Sequence, residues 1–412
     1  MPTADVQRVV IVGGGLAAAK TAEALRAEGY AGSIVLFAAE RHIPYDRPPL
    51  SKAFLKGEQS AEDGDVLPES WYAEHDVDLR IGTAVTSIDA DAHEVLATDG
   101  SRTAYDKLVL ATGASPRRSD LPGADLGGVL YLRTVEDSEK LREAFQKDAK
   151  IVIVGGGWIG LEAASAAREA GADVTVLEMA EQPLMAVLGP ALGRSFADLH
   201  REHGVDLRTG VQVTEIVGKD GAVVGVRLGD GSLVEADAVV VGIGAAPNTG
   251  LAESAGLRVD DGVRVDEHLR SSDPRIYAAG DIASIHHPAL GRQIRVEHWA
   301  TAQNSGPVAA AAMIDENAAG WDRLPYFFTD QYDLGMEYTG HVDPGDENVE
   351  VVVRGDLPGR EFIAFWLKDG RLLAGMNVNI WDVTDDIERL IRAGTTLDTA
   401  RLADPGVPLS DL

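Results

Sequence analysis

The chain repeats itself. Residues 8–29 read RVVIVGGGLAAAKTAEALRAEG and residues 150–171 read KIVIVGGGWIGLEAASAAREAG, one offset holding from Gly13/Gly155 to Gly29/Gly171. Each copy is a β-branched run, a glycine turn and an alanine-rich helix closed by Gly29 or Gly171, the grammar of strand, turn and helix with a C-terminal glycine. A second apolar run follows at 33–37 and at 174–177. Each copy therefore predicts a βαβ unit.

A second correspondence extends the repeat. Asp99-Gly100 and Asp230-Gly231 each precede an alternating strand that runs on to Gly113 or Gly244. An Asp-Gly pair between apolar runs is a hairpin signal, so each copy is expected to carry a small β-meander. From about 324 the pattern changes, with strand-like runs at 348–353, 361–367 and 371–376 and a helical stretch at 385–392. At about 150 residues per domain, 412 residues allow two or three domains. The predicted class is α/β: two Rossmann-like dinucleotide-binding domains plus a C-terminal α+β domain. The expected boundaries are 1–113 with 245–323, then 114–244, then 324–412.

The glycine spacing assigns chemistry to the repeat. In Gly13-x-Gly15-x-x-Ala18 and Gly155-x-Gly157-x-x-Gly160 the first glycine makes the tight turn. The second lets a pyrophosphate approach the backbone, and the third small residue lets the helix pack on the strand. The residue closing the second strand should hold a ribose. In the second copy Glu178 closes that strand, 18 residues after Gly160, where a 2′-hydroxyl acceptor is expected. Met-Ala-Glu-Gln-Pro follows it with no cation to meet a 2′-phosphate, which favours NADH over NADPH. A solvated strand-end carboxylate is the alternative. In the first copy Ala38 and Ala39 occupy the expected place, and Glu40 is the nearest acid.

Charge and cysteine exclude whole classes. There are 37 Lys and Arg against 66 Asp and Glu, a net charge of −29, so attraction to nucleic acid or an anionic membrane is not expected. With no cysteine, a redox disulfide, thiolate metal ligands and iron–sulfur clusters on this chain are ruled out. His286-His287 lacks a further ligand cluster, and no metal site is expected. No apolar run reaches the roughly 18 residues of a membrane span, and residues 1–7 show no leader pattern. A cytoplasmic protein is expected.

Further stretches carry a resemblance. Residues 275–281, Arg-Ile-Tyr-Ala-Ala-Gly-Asp, resemble the two-dinucleotide, glutathione-reductase-like flavoproteins, whose Gly-Asp contacts the flavin's ribityl chain and phosphate. Pro44-Tyr-Asp-Arg-Pro-Pro-Leu-Ser-Lys52 resembles the signature of the oxygenase-coupled NADH–ferredoxin reductases, the family of putidaredoxin reductase and rhodocoxin reductase. Ala111-Thr-Gly-Ala-Ser-Pro116, Tyr131-Leu-Arg-Thr134, Pro247-Asn248, Arg295-Val-Glu-His-Trp299 and Leu402-Ala-Asp-Pro405 match in family order. Apoptosis-inducing factor shares much of this.

The resemblance implies FAD contacts at Gly13, Gly15, Ala17, Lys52, Val85, Arg133, Asp281 and Trp299, with Ala18, Glu40, Arg47, Ala111 and Thr112 in the same cofactor set. It implies NADH contacts at Gly157, Ile159, Gly160, Glu162, Glu178 and Gly244. Lys52 and Glu162 are the candidate catalytic pair, expected to meet beside the flavin's hydride-accepting nitrogen; a salt bridge without redox role is the alternative. Trp299 is expected to line the flavin, or else to pack in the core. Phe328 stands where several relatives have Trp.

The implied function is electron transfer from NADH through FAD to a [2Fe–2S] ferredoxin that serves a cytochrome P450 or a Rieske-type oxygenase. The chain is expected to act as a monomer or homodimer. An NADH oxidase or NADH–quinone reductase is the runner-up, and an NAD(H)-sensing flavoprotein a third reading. Such ferredoxins are usually acidic, so docking on a chain of charge −29 requires a local basic patch. Arg47, Arg117, Arg118, Arg292 and Arg295 are the candidates.

Overall fold

The structure is a computed structural model that describes residues 6–343, 345–346 and 348–412. The chain divides into two compact units: 1–47, 60–115 and 245–323 form the first, and 48–59, 116–244 and 324–412 the second.

The first unit is built on a five-stranded parallel sheet ordered Ile276–Ala278, Lys107–Leu110, Arg8–Val12, Ser33–Phe37, Val77–Arg80. Val9, Val10 and Ile11 of its central strand are fully buried, because a parallel sheet is covered on both faces and takes an unbroken apolar run. The helix Leu16–Ala27 leaves the central strand through the first glycine turn. Gly306 lets the helix Trp299–Ile314 approach it closely, since a Cβ there would lie 2.6 Å from the Ala17 carbonyl. The expected meander is present as Val85–Asp89, Glu94–Ala97 and Arg102–Ala104.

The second unit repeats the design. Its parallel sheet runs Asp206–Arg208, Asp173–Leu177, Lys150–Val154, Ala238–Val241, Val129–Leu130. Its meander is Val213–Lys219, Ala222–Leu228 and Leu233–Glu235. The helix Trp158–Glu169 follows the second glycine turn. An antiparallel sheet ordered Tyr326–Gln331, Leu334–Gly340, Arg371–Val378, Glu361–Lys368, Glu350–Asp356 completes the unit. Leu188, Leu192 and Phe196 of the helix Met185–Glu202 share one core with Met336, Tyr338, Phe362 and Trp366 of that sheet.

Two of those strands, Tyr326–Gln331 and Leu334–Gly340, were not expected. Their turn carries no Gly or Asn; Tyr332 takes the left-handed conformation instead, with φ of +55°. Stacking of its ring on His203, 3.7 Å between centroids, and donation from its N–H to Ser165 Oγ at 3.0 Å hold it there. Tertiary contacts thus impose a conformation that an L residue rarely adopts alone.

Candidate functional site

The two glycine turns are built alike. Gly13 has φ of +139°, and a Cβ on it would sit 2.1 Å from the Ala111 carbonyl oxygen. Gly155 has φ of +108°, with the Gly242 oxygen 2.4 Å from an added Cβ. Both positions exclude any side chain, for conformation and for space. Gly15 and Gly157 are the opposite case: each precedes its helix in extended backbone with no side-chain cap. A Cβ on Gly15 would meet nothing within 4 Å, and one on Gly157 nothing nearer than 4.0 Å. A bare helix N-terminus of this kind offers its N–H groups and the positive end of the helix dipole to an anion such as a phosphate. Gly160 packs helix on strand, since a Cβ there would lie 2.2 Å from the Gly155 oxygen; Ala18 is fully buried at the equivalent place.

In the first unit Glu40 is already engaged. Its Oε1 lies 2.6 Å from Arg47 Nη2, and its Oε2 accepts from the Tyr45 hydroxyl at 2.6 Å. The Thr112 hydroxyl donates to the Asn248 carbonyl at 3.1 Å, and the Asn248 amide returns a bond to the Thr112 carbonyl at 2.7 Å. Gly280, with φ of +77°, faces Ala17 and donates its N–H to Ser305 Oγ at 2.8 Å, which fixes Asp281 at the next position. His298 caps the helix Trp299–Ile314 through Nδ1, which accepts from the Ala300 N–H. The Trp299 indole donates to Asp46 Oδ1 at 3.0 Å. Burial raises the Asp46 carboxyl above the usual carboxylate range, and this indole bond partly offsets the rise. Val85 opens its meander strand half-buried.

In the second unit the ribose candidate also shapes its own loop. Glu178 Oε2 accepts from the Gly156 N–H at 2.6 Å and Oε1 from the Ala180 N–H at 2.7 Å. A carboxylate keeps further lone pairs beyond these two bonds. Among the described residues no cation pairs with it, and the next residue, Met179, is 77% exposed. Ile159 is exposed on the first turn of the helix. Gly244, with φ of +97°, lies against the Arg117 side chain. Arg133 precedes the capping box of Thr134 and Asp137 that starts the helix Val135–Ala144.

The same unit brings Lys52 and Glu162 together. Lys52 follows the turn Pro48–Ser51, which the Ser138 hydroxyl ties down by donating to the Leu50 carbonyl at 2.7 Å. Its Nζ lies 2.6 Å from Glu162 Oε1. Ser51 Oγ donates to Glu162 Oε2 at 2.5 Å and Thr329 Oγ1 to Oε1 at 2.5 Å. A buried carboxylate needs such donors. Phe328 stands beside the ammonium, its ring centroid 5.7 Å from Nζ. A cavity of about 40 Å³ lies against the pair, lined by Ser51, Lys56, Ser165, Asp330 and Tyr332 as well, room for an ordered water. Thr329 and Ser51 escaped the sequence reading, because hydroxyl residues at unremarkable spacing carry no signal until the chain folds.

One expectation is corrected. Arg295 is not available as a docking cation: its side chain is 9% exposed, paired with Asp261 at 2.9 Å and with Glu297, and it also donates to the Asp281 carbonyl. Arg47 is committed to Glu40. Arg117 and Arg118 are exposed, the latter with its guanidinium 4.2 Å from the centre of the Tyr131 ring. Among the described residues no cluster could hold a metal, and no helix is long and apolar enough to cross a membrane.

Comparison with known proteins gives this geometry a context. Residues 7–306 match the pyridine nucleotide-disulphide oxidoreductase family and residues 326–412 the reductase C-terminal family. The chain is 41% identical to the ferredoxin–NAD(+) reductase component of the anthranilate 1,2-dioxygenase system of Burkholderia cepacia, over 97% of this chain and 98% of the relative. It is 38% identical to putidaredoxin reductase of Pseudomonas putida, over 98% of this chain and 96% of that one. Among solved structures, the covalent putidaredoxin reductase–putidaredoxin complex superposes with a TM-score of 0.93 at 37% identity, covering 99% of this chain and 98% of the other.

Proposed function

The chain belongs to the pyridine nucleotide-disulphide oxidoreductase family, and from that premise we propose that it is an FAD-dependent NADH–ferredoxin reductase. Its acceptor is a [2Fe–2S] ferredoxin that supplies a cytochrome P450 or a Rieske-type oxygenase. The observation that carries the reading is the Lys52–Glu162 pair, its carboxylate on the helix opened by the bare second glycine turn, in a chain with no cysteine. The disulfide chemistry in the family's name needs thiols this chain lacks, so electrons must leave for an external carrier.

The cradles fit both cofactors. Gly13, Gly15, Ala17 and Ala18 offer the first, which we assign to FAD with Asp281 and Trp299. Gly157, Gly160 and Glu178 offer the second, which we assign to NADH. Bound FAD supplies the chemistry of accepting a hydride and releasing two electrons one at a time. The chain's part is orientation and charge. Glu178 would accept from the ribose 2′-hydroxyl of NADH and repel a 2′-phosphate. The Lys52 ammonium, fixed by Glu162, would supply positive charge to stabilise the negative charge a reduced flavin carries. Residues 1–113 with 245–323 form the FAD domain in this reading, 114–244 the NAD domain and 324–412 a third. The protein is assigned to the cytoplasm, where NADH and oxygenase partners are available.

Reduction of cytochrome c by NADH, with and without a [2Fe–2S] ferredoxin from the same organism, tests this. Acceleration by the ferredoxin is the expected result. NADH oxidation by oxygen or a quinone, with no ferredoxin effect, would replace the reading by an oxidase or quinone reductase.

A further inference from the structure

Strand alternation puts Thr329 and Gln331 on one face of Tyr326–Gln331, each about 1% exposed, with Asp330 between them on the other. The Thr329 hydroxyl donates to Glu162 Oε1 at 2.5 Å. Gln331 Nε2 donates to Thr329 Oγ1 at 3.2 Å, and Gln331 Oε1 lies 2.9 Å from His200 Nε2. His200, fully buried, comes from the last turn of the helix Met185–Glu202. The Tyr332 hydroxyl is 3.5 Å from His200 Nδ1.

These bonds have one direction. An amide oxygen only accepts and an amide nitrogen only donates. His200 must then carry its proton on Nε2, and the Thr329 proton is left to point at Glu162. Burial lowers the His200 pKa to about 4, so the ring is neutral with a single proton near pH 7. Aligned donors in a dry interior reinforce one another.

We propose that Thr329, Gln331 and His200 are positioning residues: an oriented donor chain that fixes the Glu162 carboxylate for Lys52. The inference rests on the flavin-facing assignment of that pair given above. Glu162 lies on the helix that begins at the second glycine turn, whereas the chain enters from the C-terminal sheet and the helix Met185–Glu202. The strand Tyr326–Gln331, backed by His200 of the helix Met185–Glu202, therefore delivers one donor to the carboxylate oxygen already shared with Lys52 Nζ. Removing the Thr329 donor would leave that oxygen to the lysine alone, with Ser51 Oγ the one remaining hydroxyl donor on the carboxylate. The other charged groups around Glu162 are Lys52 on the pair itself, with Lys56 and Asp330 on the cavity wall, and none of them replaces the hydroxyl.

Two measurements test it. Imidazole ¹H–¹⁵N spectra of the flavin-loaded and flavin-free protein, with His200 assigned by its loss in His200→Gln, report the tautomer directly. A neutral Nε2–H ring that remains neutral at about pH 5 is expected; an Nδ1–H ring overturns the chain's direction. In anaerobic stopped flow, Thr329→Val should lower the limiting rate of flavin reduction by NADH about tenfold, as loss of a hydrogen bond to a charged group predicts. Half-saturating NADH should stay within about twofold, and Thr329→Ser should recover most of the loss. Equal limiting rates for Thr329→Val and wild type overturn the proposal. If Thr329→Val does not fold, the tautomer and the Thr329→Ser rate decide. Failure of NADH to bleach wild-type flavin would instead strike the functional reading, leaving the tautomer result to judge the chain by itself.

Discussion

Lys52 Nζ and Glu162 Oε1 lie 2.6 Å apart, the carboxylate 4% and the ammonium side chain 19% exposed. A proline-rich turn far from the helix in sequence thus delivers the counter-ion of a carboxylate that two hydroxyls also hold. A buried charge whose partner is removed is strongly destabilising, and a charge placed at the reacting atoms acts on rate.

Substitution of Lys52 by Met should therefore act twice. The limiting rate of flavin reduction by NADH should fall about 10- to 100-fold, the effect of one lost charge-assisted contact of about 1.5–3 kcal/mol. Thermal unfolding should show a stability loss of the same order. Stopped-flow flavin absorbance and calorimetry measure the two. A stability loss without a rate loss would make the pair a structural salt bridge.

The two bare glycines separate the two cofactor assignments. Gly15 and Gly157 already have backbone that alanine adopts, and a methyl there meets no protein atom within contact distance. Gly15→Ala and Gly157→Ala should leave apoprotein stability within about 0.5 kcal/mol. Gly15→Ala should lower FAD retention, while Gly157→Ala should weaken NADH binding and keep the flavin. Flavin titration and half-saturating NADH decide this, and the reversed pattern would exchange the assignments. Gly13→Ala, in contrast, drives a methyl to 2.1 Å from the Ala111 oxygen and should disturb the fold itself.

Donor preference follows from Glu178. With no cation beside it, NADH should exceed NADPH in kcat/KM by at least about tenfold, the effect of a repelled or lost charged bond. Glu178→Ala with Met179→Arg should shift the preference toward NADPH. Because Glu178 also accepts from the Gly156 and Ala180 N–H groups, the single alanine variant should lose some NADH affinity too.

His200 gives stability a pH dependence of defined sign. Its folded pKa, about 4, lies below the unfolded value of 6.5, so between these values the unfolded chain binds a proton that the native chain does not. Stability should fall as pH drops from about 6.5 toward 4, by about 3 kcal/mol from this residue. His200→Gln should flatten that part of the curve in urea unfolding at stepped pH.

Salt should act on the ferredoxin step in two phases. Long-range repulsion between a chain of charge −29 and an acidic ferredoxin is screened first, because the Debye length falls from about 30 Å at 0.01 M to about 10 Å at 0.1 M. Ferredoxin-dependent cytochrome c reduction should therefore rise and then decline as short-range contacts are screened. Ferricyanide reduction, which needs no ferredoxin, should not follow that curve. A monotonic fall would mean that attraction governs docking at every range.

The duplicated glycine turns, both parallel sheets and both meanders were legible in the sequence. Each is a local pattern, in which residue type and spacing within about 30 residues carry the physics: β-branched runs for buried strands, glycine where a Cβ cannot fit, Asp-Gly at hairpins. Tertiary structure alone decided the rest. It enclosed the guanidinium of Arg295 between Asp261 and Glu297 and set Tyr332 in a left-handed turn without glycine. It also converged Ser51, Lys52 and Thr329 on one carboxylate. Such arrangements depend on which distant surfaces the folded core presses together, and a hydroxyl or an arginine carries no mark of its eventual partner until burial obliges it to find one.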